Sequence, residues 1–312
     1  MSNVLIIKHG SLGDLIQANG AIEDIKNSFK DSKVLLLTSG AYVDFMSHCP
    51  YIDGVLIDKR LPRWNLFYLL SLKKLLSKYQ FTHVFDLQNS SRTNFYKRFL
   101  LSKPVWSSTK TTLESGQKKK DFDQEPVLER MEIQLKKSGI KTEKIKKSDL
   151  SWSFVNIEKI IKNYTSQQYI LIFPFCSKKH PNKKWPFFKE LASKITEIYK
   201  NKYSILVVPG PNEIKEAKSF NNIEVVLNKE EDSIDLNELV TLINNSSFVI
   251  SNDTGPAHIC SHLNKKGLVL FGSHTSPKKV SIESSNFKAI TAKELSDLSV
   301  ETVIEEIKNI LN

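Results

Sequence analysis

The sequence FVISNDTGPAHICSHLNKKGLVLFGS, residues 248–273, predicts a strand, a tight turn, a helix and a second strand in that order. An apolar, β-branched run begins at Phe248, residues 252–256 have the composition of a turn, and residues 267–271 form another apolar run. In an open parallel sheet, the turn after such a strand lies at the carboxyl edge, where ligands bind. The helix that follows points its N-terminus at the same edge.

This turn also has the chemistry of an anion site. Free N–H groups and the helix dipole favour an anion at a helix N-terminus, Gly255 permits close backbone approach, and the Thr254 hydroxyl adds a donor. The same residues equally fit an N-cap followed by a proline in the first turn, which needs no ligand. The turn alone leaves both interpretations open.

The composition is that of a folded protein with acidic partners. The 312 residues suffice for two domains, and 40% hydrophobic with 25% charged residues is typical of globular chains. A net charge of +11 favours nucleic acid, an anionic membrane surface or a phosphorylated substrate. The three cysteines form no CxxC motif, the N-terminal apolar run is too short for a signal peptide, and no run approaches a membrane span. We therefore expect a cytoplasmic protein.

The first half opens with a predicted buried strand at residues 4–7, which ends at HGSLGD, residues 9–14. Apolar residues then recur every three or four positions, so a helix is expected from about Asp14. The intervening loop has neither the GxGxxG nor the Walker A spacing, which excludes a dinucleotide fingerprint and a P-loop. Asp14 by itself fits a helix-capping residue.

Strands alternate with helical patterns along the rest of the chain, which predicts βαβ units and parallel sheets. We expect residues 107–125 to form a mobile loop and residues 141–153 to form an interdomain linker. Basic residues after the early strands could line the same edge as Asp14, although a solvated basic face is the alternative. In the second half, the loops that carry Lys183, Glu213 and Thr254 should gather at one sheet edge.

At these motifs the chain resembles glycosyltransferase family 9, the ADP-heptose:lipopolysaccharide heptosyltransferases, along nearly its whole length. The matching residues are Gly13-Asp14 after the first strand, Lys183-Lys184-Trp185-Pro186, Pro209-Gly210-Pro211-Asn212-Glu213, and Asp253-Thr254-Gly255-Pro256-Ala257-His258 with Phe271-Gly272 downstream. The resemblance implies an α/β fold of the GT-B class, in which two Rossmann-like, doubly wound domains face each other across a cleft. It implies an acceptor domain over residues 1–150, a nucleotide-sugar domain over 151–298, and a C-terminal helix at 299–312 that packs back on the first domain.

The resemblance also assigns roles to residues. It implies that Asp14 is the general base and that Lys183 faces the donor phosphates, as the two catalytic residues. The implied donor-binding residues are Ser11, Gly13, Glu213, Asp253, Thr254, Gly255 and His258. Glu213 is expected at the nucleotide ribose, and Asp253 is expected either to accept from a sugar hydroxyl or to cap its turn. The acceptor-binding candidates are Arg60, Arg63 and Arg92.

The implied function is inverting transfer of heptose from ADP-heptose to the Kdo or heptose of a lipopolysaccharide inner core. The expected partners are that donor and an anionic, lipid-linked saccharide at the inner membrane surface, with no nucleic acid and a monomeric enzyme. A peripheral position at the inner face of the cytoplasmic membrane follows as one possibility. No cofactor and no metal are expected, because the His258 and His262 pair has neither the acidic residue of HExxH nor an evident third ligand.

Two departures from the family pattern leave the sugar open. Asn19-Gly20 stands where the family usually has Leu-Pro, and Asn264-Lys265-Lys266 replaces a small apolar turn with proline. One alternative is therefore a GT-B transferase that uses another nucleotide-sugar for a different surface glycan. The other is a non-catalytic, basic nucleic-acid-binding protein, for which the chain carries no recognisable motif.

Overall fold

The computed structural model describes residues 2–220 and 223–311. The chain divides into two compact units, Met1–Trp152 and Ser153–Asn312. Each unit is built on its own parallel sheet, and each has its own hydrophobic core. Among the described residues, no helix combines the length and the apolar character that crossing a bilayer requires.

The sheet of the first unit has five parallel strands, which were predicted from the sequence except for the last and shortest. They are β1 (Asn3–Ile7), β2 (Lys33–Thr38), β3 (Gly54–Ile57), β4 (Phe81–Asp86) and β5 (Val105–Ser107). Their order in the sheet is β3-β2-β1-β4-β5. The order reverses between β1 and β4, so the loops after these two strands form a topological switch point.

Helices of the first unit connect these strands. They are α1 (Leu12–Ser28), α2 (Val43–Ser47), α3 (Leu66–Leu76), α4 (Ser91–Phe99), α5 (Thr109–Thr112), α6 (Lys119–Phe122) and α7 (Val127–Lys137). Residues 107–125, predicted as a mobile loop, contain two short helices, α5 and α6, each of one helical turn. Phe122 on α6 is buried, and the Lys137 amine donates to the carbonyl of Thr112 at 2.8 Å.

The segment predicted as a linker, residues 141–153, belongs to the first unit as far as Trp152. The Asp24 carboxylate, on α1, accepts hydrogen bonds of 3.0 to 3.2 Å from the backbone N–H groups of residues 143–145. A Cβ on Gly20 would lie 2.2 Å from the carbonyl oxygen of Lys144. The segment is therefore fixed on α1 at a point where only glycine leaves room.

The second unit has a parallel sheet of six strands. They are β6 (Gln168–Phe173), β7 (Tyr203–Val207), β8 (Glu224–Val225), β9 (Phe248–Asn252), β10 (Gly267–Phe271) and β11 (Phe287–Thr291). Their order, β11-β10-β9-β6-β7-β8, is that of the dinucleotide-binding folds counted from the first strand of the unit. The switch point here lies between β6 and β9. The edge strand β11 was not predicted.

Helices of the second unit cover this sheet. They are α8 (Glu158–Ile161), α9 (Phe188–Tyr199), α10 (Ile214–Ala217), α11 (Leu236–Asn245), α12 (Gly255–His262) and α13 (Val300–Leu311). The apolar stripe of α13, with Val303 and Ile307 fully buried, lies in the core of this second unit together with Leu191 and Leu268. The C-terminal helix is thus an integral part of the second unit.

Candidate functional site

Several residues that the sequence predicted to be catalytic or donor-binding follow the strands of the two switch points. In the first unit, the loop after β1 carries Ser11 and leads to Asp14. In the second unit, β6 leads to the turn with Lys183, and β9 leads directly to Asp253. Ligands of open parallel sheets bind at such places because the loops from neighbouring strands diverge there.

Lys183 and Asp253 form a close ion pair in the second unit. The Lys183 amine lies 2.5 Å from the Asp253 Oδ2 and also donates to the Asp253 carbonyl at 3.3 Å. The Asp253 side chain is 1% exposed, whereas that of Lys183 is 25% exposed. The pair therefore anchors one face of the ammonium group and leaves another face open to solvent.

Two histidines complete a basic ring around the Asp253 carboxylate. His274 places its Nε2 3.1 Å from Oδ2, and His258 places its Nε2 3.8 Å from Oδ1. Burial by itself raises the pKa of Asp253, but the charge and hydrogen bond of Lys183, with His258 and His274, lower the pKa below its ordinary value. Asp253 is thus held as a carboxylate among three basic groups.

The turn that carries Lys183 is tied to β9 by Asn252. The Asn252 Oδ1 accepts from the Trp185 N–H at 3.0 Å, and its Nδ2 donates to the carbonyl of Pro174 at 2.9 Å. The buried Trp185 indole donates to the carbonyl of Leu298 at 2.9 Å. Trp185 is therefore a packing residue, and Asn252 joins the two strands of the switch point.

The N-terminus of α12 provides donors next to this cluster. Thr254 is the N-cap, and no helix N–H bonds to its hydroxyl. Pro256 has no N–H, and the N–H of Ala257 donates to the carbonyl of Thr254 at 3.1 Å. Within the described first turn, Gly255 thus offers the backbone N–H that can meet an anion.

Glu213 follows β7, the strand next to β6 on the other side from β9. Its Oε2 accepts from the Gly210 N–H at 2.8 Å, which fixes the Pro-Gly-Pro-Asn-Glu turn. Burial raises the pKa of Glu213, and the Gly210 N–H opposes this shift. Lys184, after β6, forms an ion pair with Glu216, after β7, so the loops after these two strands lie close together. Burial raises the pKa of the nearby Cys176 thiol.

His262 is turned away from the cluster. Its Nδ1 lies 3.0 Å from the carbonyl oxygen of His258, one helical turn earlier. Burial, with a smaller effect of His258, lowers the pKa of His262 to about 4, so the ring is neutral at pH 7. Across residues 2–220 and 223–311, no group of three or more histidines, cysteines or acidic residues has the arrangement of a metal site.

In the first unit, Asp14 and Ser11 form a capping box at the start of α1. The Asp14 Oδ2 accepts from the Ser11 N–H at 2.7 Å and from its hydroxyl at 3.0 Å. Oδ1 lies 3.7 Å from the amine of Lys8. The Asp14 side chain is 41% exposed, and Gly13 beside it is buried. The carboxylate is fixed in orientation and open to a ligand.

Lys8 links this carboxylate to the other strand of the switch point. Its buried amine donates to the carbonyl of Leu87, after β4, at 3.0 Å. Burial lowers the pKa of Lys8, while Asp14 and then Asp86 oppose the shift. The Lys8 amine therefore lies between the Asp14 carboxylate and the loop after β4.

A buried polar network lies beside the same loop and is centred on Asp58. Its carboxylate accepts from the hydroxyls of Tyr68 and Tyr96 and from the N–H of Arg60 at 2.8 Å, and the His9 Nε2 lies 2.8 Å from Oδ2. Burial by itself raises the pKa of Asp58, but hydrogen bonds from His9, Tyr68 and Tyr96 hold the pKa well below its usual range. The network fixes the loop after β3.

The three predicted acceptor arginines lie around that loop. Arg92 donates to the carbonyls of Leu61 and Arg60 at 3.0 and 3.2 Å and to the Tyr96 hydroxyl at 3.2 Å. Arg63 lies over the Phe95 ring, 5.9 Å from its centre. Arg92 therefore clamps the loop that carries Arg60 and Arg63.

Lys8, His9, Asp58 and His274 were not singled out from the sequence. Lys8 and Asp58 stand directly after a strand, His9 is the second residue after β1, and His274 follows β10 by three residues. Ligands of open parallel sheets bind at the carboxyl ends of the strands. A search of the residues that follow every predicted strand would therefore have found these four.

The profile of glycosyltransferase family 9 (heptosyltransferase) matches residues 69–304, which include Lys183, Glu213 and Asp253 and begin after Asp14. The chain belongs to this family. It is therefore a glycosyltransferase, as the sequence predicted.

Individual relatives agree with the family assignment. Lipopolysaccharide heptosyltransferase 1 of Campylobacter coli is 23% identical across 97% of this chain and 96% of that protein. The E. coli heptosyltransferase WaaC, solved with ADP-2-deoxy-2-fluoro heptose, has a TM-score of 0.72 and 18% identity over 98% of this chain and 99% of that one. A family 9 glycosyltransferase of Veillonella parvula has a TM-score of 0.76 and 17% identity over 99% and 97% of the two chains. These likenesses confirm the predicted GT-B class with two Rossmann-like α/β domains.

Proposed function

We propose that this glycosyltransferase transfers heptose from ADP-heptose to the inner core of a lipopolysaccharide, with inversion at the anomeric carbon. The observation that carries the proposal is the cluster of Lys183, His258 and His274 around Asp253, next to the N-terminus of α12 at the second switch point. Similarity to an enzyme solved with an ADP-heptose analogue supports this choice of donor.

The donor side of the reaction stabilises a leaving diphosphate. As the bond between the anomeric carbon and the phosphate oxygen breaks, negative charge grows on the departing ADP. The exposed face of Lys183, the Thr254 hydroxyl, the Gly255 N–H and the helix dipole meet that charge. One well-placed donor of this kind lowers the barrier by about 3 to 4 kcal/mol. Glu213 is assigned to the nucleotide ribose.

Asp253 has a positioning role in this proposal. A carboxylate beside a diphosphate would repel it, but this one lies among Lys183, His258 and His274. Its negative charge holds Lys183 in place, and the solvent-exposed face of the Lys183 ammonium group remains available to an anion. Acceptance from a sugar hydroxyl or capping of the local turn stays the prediction from the sequence for this residue.

The acceptor side uses Asp14 as general base. The acceptor hydroxyl loses its proton to the Asp14 carboxylate as its oxygen bonds to the anomeric carbon. Ser11 holds one carboxylate oxygen through two hydrogen bonds, so the side chain is oriented before the acceptor arrives. Ser11 and Gly13, first assigned to the donor, act in this proposal through the position of Asp14.

The acceptor is proposed to be an anionic, lipid-linked saccharide at the inner membrane surface, bound by a monomeric enzyme. Arg60 and Arg63 supply the charges that hold its carboxylates and phosphates. Arg92 contributes by clamping their loop.

Calorimetric titration of the purified protein with ADP, UDP, GDP and ADP-heptose, with EDTA present throughout, tests the donor. Selective binding of ADP and tighter binding of ADP-heptose are the expected results. Preference for UDP or GDP would move the function to another surface glycan, an option kept open by Asn19-Gly20 and Asn264-Lys265-Lys266. Absence of binding to all four would contradict the proposed function.

A further inference from the structure

The solvent side of the chain at the start of α3 is apolar and aromatic. Trp64 is 83% exposed, Leu66 68%, Phe67 87% and Leu70 64%. Single exposed apolar residues are common on protein surfaces, but four within seven residues, two of them aromatic, form a patch. We call these four residues the α3 patch.

The exposure of the α3 patch follows from a well-formed helix. The Asn65 side chain caps α3 by accepting from the Tyr68 N–H at 3.0 Å. The opposite face of the helix, with Leu69 and Leu72, is buried in the core of the first unit. The helix thus has one apolar face in the core and a second one in solvent.

Basic residues lie on the same stretch of chain as the α3 patch. Lys73 and Lys74 continue its exposed face one turn later. Arg63 lies over Phe95, Phe95 packs against Phe99 at 4.6 Å between ring centres, and Arg98 lies over Phe99. Between residues 59 and 104 the sequence has one acidic residue, Asp86, and it is buried. The stretch of chain that carries the α3 patch therefore has exposed positive charge and no exposed acidic side chain.

We propose that the α3 patch with its basic rim docks on the surface of an anionic lipid bilayer. Exposed Trp, Phe and Leu beside Lys and Arg are the composition of a helix that lies in a membrane interface. Anionic lipids attract such a rim, whereas a second copy of the same basic surface would repel it. The inference rests on the proposed function, because docking here brings Arg60 and Arg63 to a lipid-linked acceptor.

Flotation with vesicles tests the proposal. The full-length protein is mixed with vesicles of phosphatidylcholine alone, or of phosphatidylcholine with phosphatidylglycerol, at low and at physiological salt. We expect binding to the anionic vesicles that weakens with salt. The triple variant Trp64→Ser, Phe67→Ser, Leu70→Ser should bind at least about tenfold more weakly, because each side chain loses apolar burial. The double variant Lys73→Ala, Lys74→Ala should bind anionic vesicles more weakly, with an affinity that falls roughly fivefold for each charge removed.

The matched control removes apolar side chains that are exposed elsewhere. Ile133→Ser with Ile198→Ser changes such residues on α7 and α9, outside the α3 patch. This control should bind vesicles like the wild type. Thermal unfolding of each variant checks that the fold is intact.

Trp64 supplies a direct optical readout. Of the four tryptophans, Trp106 and Trp185 are buried and Trp152 is half-buried, so Trp64 is by far the most exposed reporter. Its emission should shift to the blue when anionic vesicles are added, and Trp64→Phe should keep most of the binding and lose the shift.

The proposal would be overturned if the wild-type protein did not bind anionic vesicles, or if the triple variant bound them as the wild type does. It would also be overturned if the α3 patch mediated a dimer and no vesicle binding. Vesicle binding is measured without donor, so it is separate from the proposed function. A protein that binds vesicles through the α3 patch but does not bind ADP-heptose would contradict that function alone.

Discussion

Asp14 occupies the third position of α1, where its carboxylate accepts from the N-cap residue Ser11 and lies 3.7 Å from the Lys8 amine. A capping residue of this kind needs no ligand, so its structural and its catalytic roles must be separated by experiment. The chain offers a matched control in Glu238, which accepts from the N-cap Asp235 N–H at 2.9 Å in α11.

Asp14→Asn is expected to lower kcat by at least about 10²-fold, because the amide cannot accept the acceptor proton. The Kd for ADP-heptose should change little, since the donor cluster lies in the second unit. Glu238→Gln should leave kcat unchanged, although it should lower the free energy of unfolding about as much as Asp14→Asn does. Single-turnover rates and calorimetry measure the two effects. An Asp14→Asn variant with the wild-type rate would remove Asp14 as the base.

Asp58 predicts a dependence of stability on pH. Its pKa in the folded protein is lower than in the unfolded chain, so folding favours the carboxylate form. That contribution is fully present above the unfolded pKa, near 4, and is lost as the pH falls through the folded pKa. Asp58→Asn should therefore be less stable than the wild type at pH 7, and the difference should shrink on acidification below about pH 4. Urea unfolding at a series of pH values measures it, and a difference that stays constant would contradict the argument.

At the scale of elements, strands and helices with strong patterns were predictable, and their contacts were not. The α1 helix was expected from the apolar periodicity after Asp14, and β10 from its continuous apolar run. The strand β5 has three residues and β11 is an edge strand with exposed positions, so neither carries a clear pattern. Residues 141–153 were predicted as a linker because they are rich in charged residues. The sequence pattern does not show that their backbone N–H groups donate to the distant Asp24 carboxylate.

Asn19 and Gly20, which differ from the family pattern, contact the same segment, residues 141–153. Asn19 donates to the Ser148 hydroxyl and to the carbonyl of Asp149, both at 2.9 Å, and Gly20 makes room for the backbone at Lys144. The two residues that differ from the family pattern therefore fit the segment that follows α7. The structural role of Asn19 and Gly20 therefore does not by itself favour a nucleotide-sugar other than ADP-heptose.

Gly20→Ala is expected to destabilise the first unit by about 1 to 3 kcal/mol, because the new Cβ overlaps the Lys144 backbone and must displace it. Alanine is otherwise the better helix former, so propensity alone predicts the opposite sign. Gly40→Ala is the control, since nothing lies within 4 Å of its added Cβ. Urea denaturation measures both variants. A stabilised Gly20→Ala protein would show that the segment is not fixed on α1.

At the scale of the whole molecule, the chain is two units with separate cores. The alternation of strands and helices was sufficient to predict two parallel sheets. The residues around Asp58 and Asp253 were harder to predict, because their partners come from strands far apart in sequence. Lys183 and Asp253 are 70 residues apart, and His9 and Asp58 meet only when β1, β2 and β3 are in register.

This division predicts that the second unit, residues 153–312, folds and binds ADP by itself. Its core includes the C-terminal helix α13, so a fragment that ends before Val300 should be unstable. Lys183, Glu213 and His258 all lie within it, and therefore ADP affinity should stay within about threefold of the full-length value, a difference below 1 kcal/mol. Calorimetry of the fragment against ADP tests this, with Lys183→Ala in the fragment as the control for specific binding. A folded fragment without ADP affinity would mean that the first unit contributes to the nucleotide site, and the assignment of donor and acceptor to separate units would then be wrong.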